Sequence, residues 1–205
     1  VLAQGLRVII ADISDEDKSL DVIEEIKKNF KYHLNIEVIK GGYPAYGRKI
    51  GADLVTTPYV LFLDADIILF DKWILYHCTH NTTHLSTVTF TTDYGFNWIY
   101  GIFNLIQRLG KLLGTSFAIG GFQLFDTEVY KKTGGYDPTH VFAEDYYVSN
   151  KINTQFFTIH KTDGVYTSAR RFQNKGLTYM IRMMIKTGLN KNNPEFFKRS
   201  HGYWD

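Results

Sequence analysis

A layered α/β fold, one domain with a mixed, mostly parallel central sheet flanked by helices, is predicted by three features of the sequence. Short β-branched runs alternate with stretches of helical periodicity through the first third of the chain. Gly, Pro or acidic residues punctuate them. The run Tyr59-Val60-Leu61-Phe62-Leu63 has no polar member, so it reads as a strand buried on both faces, and it ends abruptly at Asp64 and Asp66. Strands alternating with helices at this spacing are joined by right-handed parallel crossovers.

The elements follow in order. Residues 6–11 form a β-branched strand ending at Asp12, and Ser14, Asp15 and Asp17 are N-cap candidates for a helix over 18–30, with Leu20, Ile23, Ile26 and Phe30 at helical spacing. A second strand covers 34–39 and Gly41-Gly42 breaks it. Pro44 sits in the first turn of a helix over 43–55, and Ala45, Gly47, Gly51 and Ala52 keep that helix thin enough to lie close on a sheet. Beyond Asp66 a helix is expected over 71–78 and a strand over 85–92 that joins the same sheet. Residues 98–113 predict an amphipathic helix with Ile99, Ile102, Phe103, Ile106, Leu109 and Leu113 on one stripe, a pattern that suits core packing first and a membrane surface second. A strand over 117–125 contains Gly120-Gly121, whose missing side chains would let a ligand approach the backbone. Asp126 or Thr127 caps a short helix to Lys132, ended by Gly134-Gly135. A helix over 141–152 carries Glu144-Asp145, a strand covers 156–160, and Arg170-Arg171 precede a methionine-rich helix over 177–185.

Composition sets the bounds. At 205 residues the chain buries enough apolar surface for one full core. Aromatic content of 16% is high and suggests stacking surfaces or an apolar groove, while a net charge of +2 is too small to imply nucleic acid. The single cysteine, Cys78, rules out an internal disulfide framework and fits a reducing, cytoplasmic setting. No apolar run is long enough to span a bilayer, and Val1 to Gly5 does not read as a signal peptide. His77, Cys78, His80 and His84 match no familiar zinc spacing, and the Asn81-Thr82-Thr83 sequon is expected to stay unused in a reducing compartment.

The acids at 64 and 66 carry the chemistry. In extended backbone, side chains two apart share a face, so both carboxylates would point into the crevice at the strand's carboxyl end, where open α/β sheets bind ligands. Two carboxylates that close repel unless a hard divalent cation lies between them. The same residues also read as a solvated strand end and a cap, and the local pattern does not separate the two readings.

Six stretches in fixed order resemble the nucleotide-sugar-dependent glycosyltransferases of family 2. Ala11-Asp12-Ile13-Ser14-Asp15 is similar to that family's D-D-G-S-x-D turn, with Ile13 in place of its Gly, and Gly47-Arg48-Lys49-Ile50-Gly51 to its A-R-N-x-G helix, with Lys49 in place of its Asn. Asp64-Ala65-Asp66 matches D-x-D; Gly134-Gly135-Tyr136-Asp137 and Ala143-Glu144-Asp145 match G-G-F-D and E-D; Ser168-Ala169-Arg170-Arg171-Phe172 looks like S-x-R-R-F. The resemblance implies a single Rossmann-like GT-A domain over 1–205, with a nucleotide-sugar half at 1–92, an acceptor and catalytic half at 93–190 and a tail at 191–205. The family's first strand and helix have no counterpart before Val1-Leu2-Ala3-Gln4, so either a preceding stretch of about 25 to 40 residues or a reduced sheet is expected, and the unpaired edges that a reduced sheet would leave favour the former.

What the resemblance implies for the site can be stated residue by residue. Asp66 first, with Asp64, would hold Mn²⁺ or Mg²⁺ on the diphosphate of the donor. Asp12, Arg48, Ala65, Gly120 and Gly121 would line the nucleotide-sugar site, and Arg170 and Arg171 would add bidentate phosphate contacts. Asp145, positioned by Glu144, would be the general base for an inverting transfer to a hydroxyl, or would only orient an acceptor that is already an ionised lipid phosphate. Without the resemblance, Asp12 is a turn cap, Arg170-Arg171 a solvated basic face, and Glu144-Asp145 an acid pair at a helix start. The rival activities are nucleotidyl transfer, for which Gly41-Gly42 makes a poor phosphate loop, and silent sugar-nucleotide binding. Basic residues beside apolar helix faces also permit peripheral attachment to an acidic membrane and a lipid-linked acceptor.

Overall fold

The computed structural model describes residues 6–13, 19–29, 35–81, 84–93 and 95–203. The cap candidates Ser14, Asp15 and Asp17, the predicted element ends at Phe30 and Leu34, the opening Val1 to Gln4 and the sequon's Thr82 and Thr83 lie outside them.

Strand β1 (Arg7–Asp12), helix α1 (Ser19–Asn29), strand β2 (Asn35–Lys40) and helix α2 (Pro44–Asp53) follow the predicted order. β1 and β2 pair in parallel, from Arg7 opposite Asn35 to Asp12 opposite Lys40. Pro44 opens α2, where a missing N–H removes no helical bond. The helix lies on β1 because its small residues allow it: a methyl group on Gly47 would sit 3.2 Å from the Ala11 side chain.

Next come β3 (Tyr59–Leu63), β4 (Ile67–Leu69), α3 (Ile74–Asn81), β5 (Leu85–Val88), α4 (Asn97–Leu112), β6 (Phe122–Asp126), α5 (Thr127–Lys132) and α6 (Glu144–Ser149). They are followed by β7 (Phe157–His160), β8 (Val165–Thr167), α7 (Arg170–Lys175), α8 (Leu177–Leu189) and α9 (Pro194–Phe197). Four strands form one mixed sheet in the order β3-β6-β5-β7, with β6 antiparallel to both neighbours and β5 parallel to β7. β4 pairs antiparallel with β8. The predicted class, an α/β mixed sheet flanked by helices, is the observed one.

Two local expectations need correction. β3 is at the end of its four-strand order, and the inner places belong to β6 and β5. Its burial accordingly alternates: Val60 and Phe62 are buried, Tyr59 and Leu61 half-buried, and Leu63 is exposed. An apolar run states that neighbours exist on both faces but not how complete they are. On α4 the buried residues are Ile99, Tyr100, Phe103 and Gln107, whereas Ile102, Ile106, Leu109 and Leu113 of the predicted stripe are exposed. This helix is apolar on more than one side, so periodicity alone does not choose the face that packs.

The sheet separates two cores. Val60, Phe62, Phe125 and Phe157 pack with α2, α5 and α6 through Ala45, Ala52, Tyr130 and Val148. Leu124, Phe122 and Val88 pack on the other face with α3, α4, α7 and α8 through Ile74, Tyr100, Phe103, Phe172 and Met180. Among the described residues no helix is long and apolar enough to cross a membrane.

Candidate functional site

The backbone after β3 does not stay extended. Asp64, Ala65 and Asp66 enter a turn closed by the Ile67 N–H, which donates to the Asp64 carbonyl at 3.2 Å. The expectation that Asp64 and Asp66 share a strand face is therefore replaced by a division between them. Asp64 turns inward to Arg48, while Ala65 and Asp66 are exposed at the tip. The β3–β6 ladder carries on into this turn, because the Asp64 N–H donates to the Gly121 carbonyl at 3.4 Å.

Arg48 is the hub. Gly47 lets α2 sit down on β1, and the next residue extends its guanidinium between three elements. Nη2 donates to Asp64 Oδ1 and Nη1 to Glu144 Oε1, each at 2.5 Å, with the Gly120 carbonyl 3.5 Å from Nη2. The guanidinium also lies over the Tyr136 ring, 5.3 Å from its centre. Burial opposes the charge on Arg48, but the surrounding Tyr136, Asp64, Glu144 and Asp145 more than offset this and hold its pKa well above the ordinary value.

The acid pair opens α6. Ala143, immediately before it, has φ of 46°, a left-handed conformation that a residue with a Cβ adopts only when its surroundings enforce it. This kink turns Glu144 into the interior, where it is 7% exposed. Asp145 accepts from the Gly120 N–H at 2.7 Å through Oδ2 and from the Tyr146 N–H at 2.8 Å through Oδ1. Burial and the neighbouring Asp145 push the Glu144 carboxyl above the usual range against the pull of Arg48. Burial likewise raises Asp145, although Arg48 and its two N–H donors act to lower it.

Gly120 and Gly121 serve this framework. A methyl on Gly120 would lie 2.9 Å from Arg48 Nη2 and 3.2 Å from Asp145 Oδ2, and one on Gly121 would lie 3.0 Å from Ile67 Cδ1. The chain's own Arg48, Asp145 and Ile67 approach these glycines closely.

The remaining predicted residues are placed by strand register. Ile67 is opposite Thr167 in the antiparallel β4–β8 pair, so the chain before Ile67 and the chain after Thr167 leave the ladder at the same end. Asp66 and the start of α7, with Arg170 exposed, share that end. Of Arg171 only the backbone is described. Asp12 lies at the carboxyl end of β1, one residue beyond the Ala11 on which Gly47 packs. His77 and His80 both lie against Tyr76, His84 stacks on Phe156, and Cys78 is buried in the core.

Three residues not singled out from sequence support the site. Tyr136 donates its hydroxyl to Gln123 Oε1 at 2.5 Å, and Gln123 Nε2 donates to the carbonyls of Ala118 at 2.7 Å and Asp145 at 3.1 Å. Asp93 accepts from the Tyr166 hydroxyl and from the Ala169 N–H, tying down the segment that leads to Arg170. The tyrosine in Gly134-Gly135-Tyr136-Asp137, where the resembled motif has Phe, was the available signal for the first network; a lone Asp93 offered none.

Among the described residues no three acid, histidine or cysteine side chains are grouped so that they could hold a metal ion by themselves. The donor set that remains open is carboxylate oxygen at the turn: Asp66 outward and Asp64, 42% exposed, shared with Arg48. Hard oxygen donors that leave most positions vacant suit a divalent cation whose other ligands are phosphates and water.

Comparisons with known proteins agree with this architecture. A mannosyltransferase from Pyrobaculum calidifontis, solved in complex with GDP-Man and Mn²⁺, superposes with a TM-score of 0.64 at 14% identity, over 89% of this chain and 55% of that one. TarS of S. aureus superposes with a TM-score of 0.58 at 14% identity, over 88% of this chain and 34% of that one. GalNAc-T7 with UDP, GalNAc and Mn²⁺ gives 0.55 at 14% identity, over 82% and 38%. The chain thus spans between a third and just over half of each of these proteins, and at such identities the likeness shows the GT-A fold alone. The sequence matched no curated protein. The sequence model described as Glycosyl transferase family 2 matches residues 1–134, most of the chain, and on that match this protein belongs to glycosyl transferase family 2.

Proposed function

We propose that this chain is the catalytic domain of a glycosyltransferase that moves a sugar from a nucleoside diphosphate to an acceptor hydroxyl or lipid phosphate with inversion at the anomeric carbon. The observation that carries the reading is the single guanidinium shared by Asp64 and Glu144, which joins the end of β3 to the start of α6. That guanidinium holds together the acid assigned to the donor side and the acid pair assigned to the acceptor side. Solved neighbours of the same fold bear sugar nucleotides, GDP-Man in one and UDP-GlcNAc in TarS, and two of them Mn²⁺.

In this reading Asp66, with Asp64, holds Mn²⁺ or Mg²⁺, which supplies Lewis-acid neutralisation of the departing diphosphate. Asp12 and the first half of the chain receive the nucleoside, and Arg170 and Arg171 close on the phosphates from the same end as Asp66. Asp145 takes the proton of the acceptor hydroxyl as that oxygen bonds to the anomeric carbon, and the carbon–oxygen bond to the diphosphate breaks with its electron pair leaving on the nucleotide. The two N–H groups on Asp145 orient the carboxylate and leave a lone pair for that proton. Arg48 and Glu144 are positioning residues. The test is calorimetry with UDP-, GDP- and dTDP-sugars, with and without Mn²⁺, followed by product analysis. Metal-dependent binding of one donor with slow hydrolysis or transfer is expected; binding without any turnover would leave a sugar-nucleotide-binding module, and no binding would end the proposal.

A further inference from the structure

Neither α4 nor α8 contains an acidic residue, and each turns an apolar strip outward. On α4, Trp98, Ile102, Leu105, Leu109 and Leu112 are exposed at helical spacing, with Leu112 82% open. On α8, Ile181, Ile185 and Leu189 are exposed, alternating with the exposed Arg182 and Lys186. The inner sides of both helices pack into the one core on the β6 face that carries Phe122 and Leu124, so both cover the same side of the sheet. Their outer strips therefore lie on one side of the molecule. Single exposed leucines are ordinary, but an exposed apolar strip on each of two helices that cover the same side of the sheet marks an interaction surface.

The charge on this side selects the partner. Arg108 is exposed on α4 beside the apolar strip, and it shares a shallow cleft of about 220 Å³ with Lys161, Asn104, Leu105 and one acid, Asp163. Apart from that acid, the charges flanking the strips named here are positive. A second copy of this chain would bring the same basic flanks against them and gain nothing from the charge. A bilayer with anionic headgroups does, because leucine and isoleucine enter the boundary between headgroups and chains while Arg and Lys meet lipid phosphates. Trp98, at the start of α4, is of the side-chain type enriched at that depth.

We propose that the outer face of α4 and α8 docks this chain peripherally on an anionic membrane surface. This holds independently of the sugar-transfer reading.

The test is co-sedimentation of the chain with phosphatidylcholine vesicles, with and without phosphatidylglycerol, at low and high salt. Expected is binding that needs the anionic lipid and weakens with salt. Charge reversal in Arg182→Glu with Lys186→Glu, and apolar loss in Leu105→Glu with Leu109→Glu, should each lower partitioning about tenfold or more. Both pairs are exposed, so their unfolding transitions should match that of the unaltered chain, and sugar-nucleotide affinity should not move. Failure to bind anionic vesicles would overturn the proposal. So would binding indifferent to lipid charge and to both variants, or a dimer in ultracentrifugation that Leu105→Glu with Leu109→Glu dissociates while vesicles are ignored.

Discussion

Asp64 and Glu144, distant in sequence, are held on the two nitrogens of one guanidinium, at 2.5 Å each from Arg48. Arg48 and Glu144 side chains are 14% and 9% exposed, so this is an interior ion pair with a partly solvated third member. Removing one partner of a buried pair leaves the other charged without compensation, at a cost of about 3–5 kcal/mol.

Arg48→Met should therefore lower the unfolding free energy by roughly that amount in urea titrations. Arg48→Lys keeps the charge but loses the fork that reaches both acids, and should cost about 1–3 kcal/mol, the worth of one charged hydrogen bond. If Arg48 instead served only the nucleotide, both variants would weaken donor binding and leave stability unchanged.

Gly120 gives a second, independent probe of the same geometry. In Gly120→Ala the new methyl meets Arg48 Nη2 at 2.9 Å and Asp145 Oδ2 at 3.2 Å, and the crowding should destabilise by about 1–3 kcal/mol and lower turnover. Gly101→Ala in α4 is the control, because nothing lies within 4 Å of its added methyl. There the gain in helix propensity should stabilise by about 0.5–1 kcal/mol. Thermal melts of the two variants should shift in opposite directions.

Much of this was legible in the sequence as order, and less of it as distance. The alternation of β-branched runs and helical periods gave the α/β class, and the acids at 64, 66, 144 and 145 stood out by their places at element ends. The meeting of Asp64 and Glu144 on Arg48 was not legible, because spacing along the chain says nothing about which side chain bridges two elements. Asp64 and Asp66 illustrate a second limit: alternation holds only while backbone stays extended, and the hydrogen bond from Ile67 to Asp64 ends that here. Gly120 illustrates a third, since a missing side chain signals close approach without naming what approaches.

The raised carboxyls of Glu144 and Asp145 give opposite signs for activity and stability. A base must be deprotonated, so transfer to a hydroxyl should fall as pH drops through the raised Asp145 value, above the ordinary aspartate value of about 3.9. For stability, the folded state holds these protons to higher pH than the unfolded chain, so unfolding free energy should decrease as pH rises from the ordinary carboxyl range to the raised values. Glu144→Gln removes one of the two and should flatten that slope. Asp145→Asn should keep donor binding and lose about 10²–10⁴-fold in turnover. Arg48→Met, by removing an interaction that lowers both acids, should move the acidic limb of any remaining activity to higher pH. A limb that stays at the ordinary aspartate value would remove Asp145 from the role of base.

The division between Asp64 and Asp66 separates metal binding from stability. Asp66 is exposed at the tip of the turn, so Asp66→Ala should leave the unfolding transition within about 0.5 kcal/mol of the unaltered chain while abolishing Mn²⁺-dependent donor binding. Asp64 has two tasks if it also contributes to the cation, because Arg48 Nη2 rests on it. Asp64→Asn keeps an oxygen toward Arg48 but gives up the charge, and should weaken Mn²⁺ binding and lower stability together. Manganese paramagnetic resonance with and without nucleotide, read beside urea titration, distinguishes the two. Equal stability losses in both variants would mean that Asp66 is part of the folded framework, and unchanged manganese binding in Asp66→Ala would place the cation elsewhere.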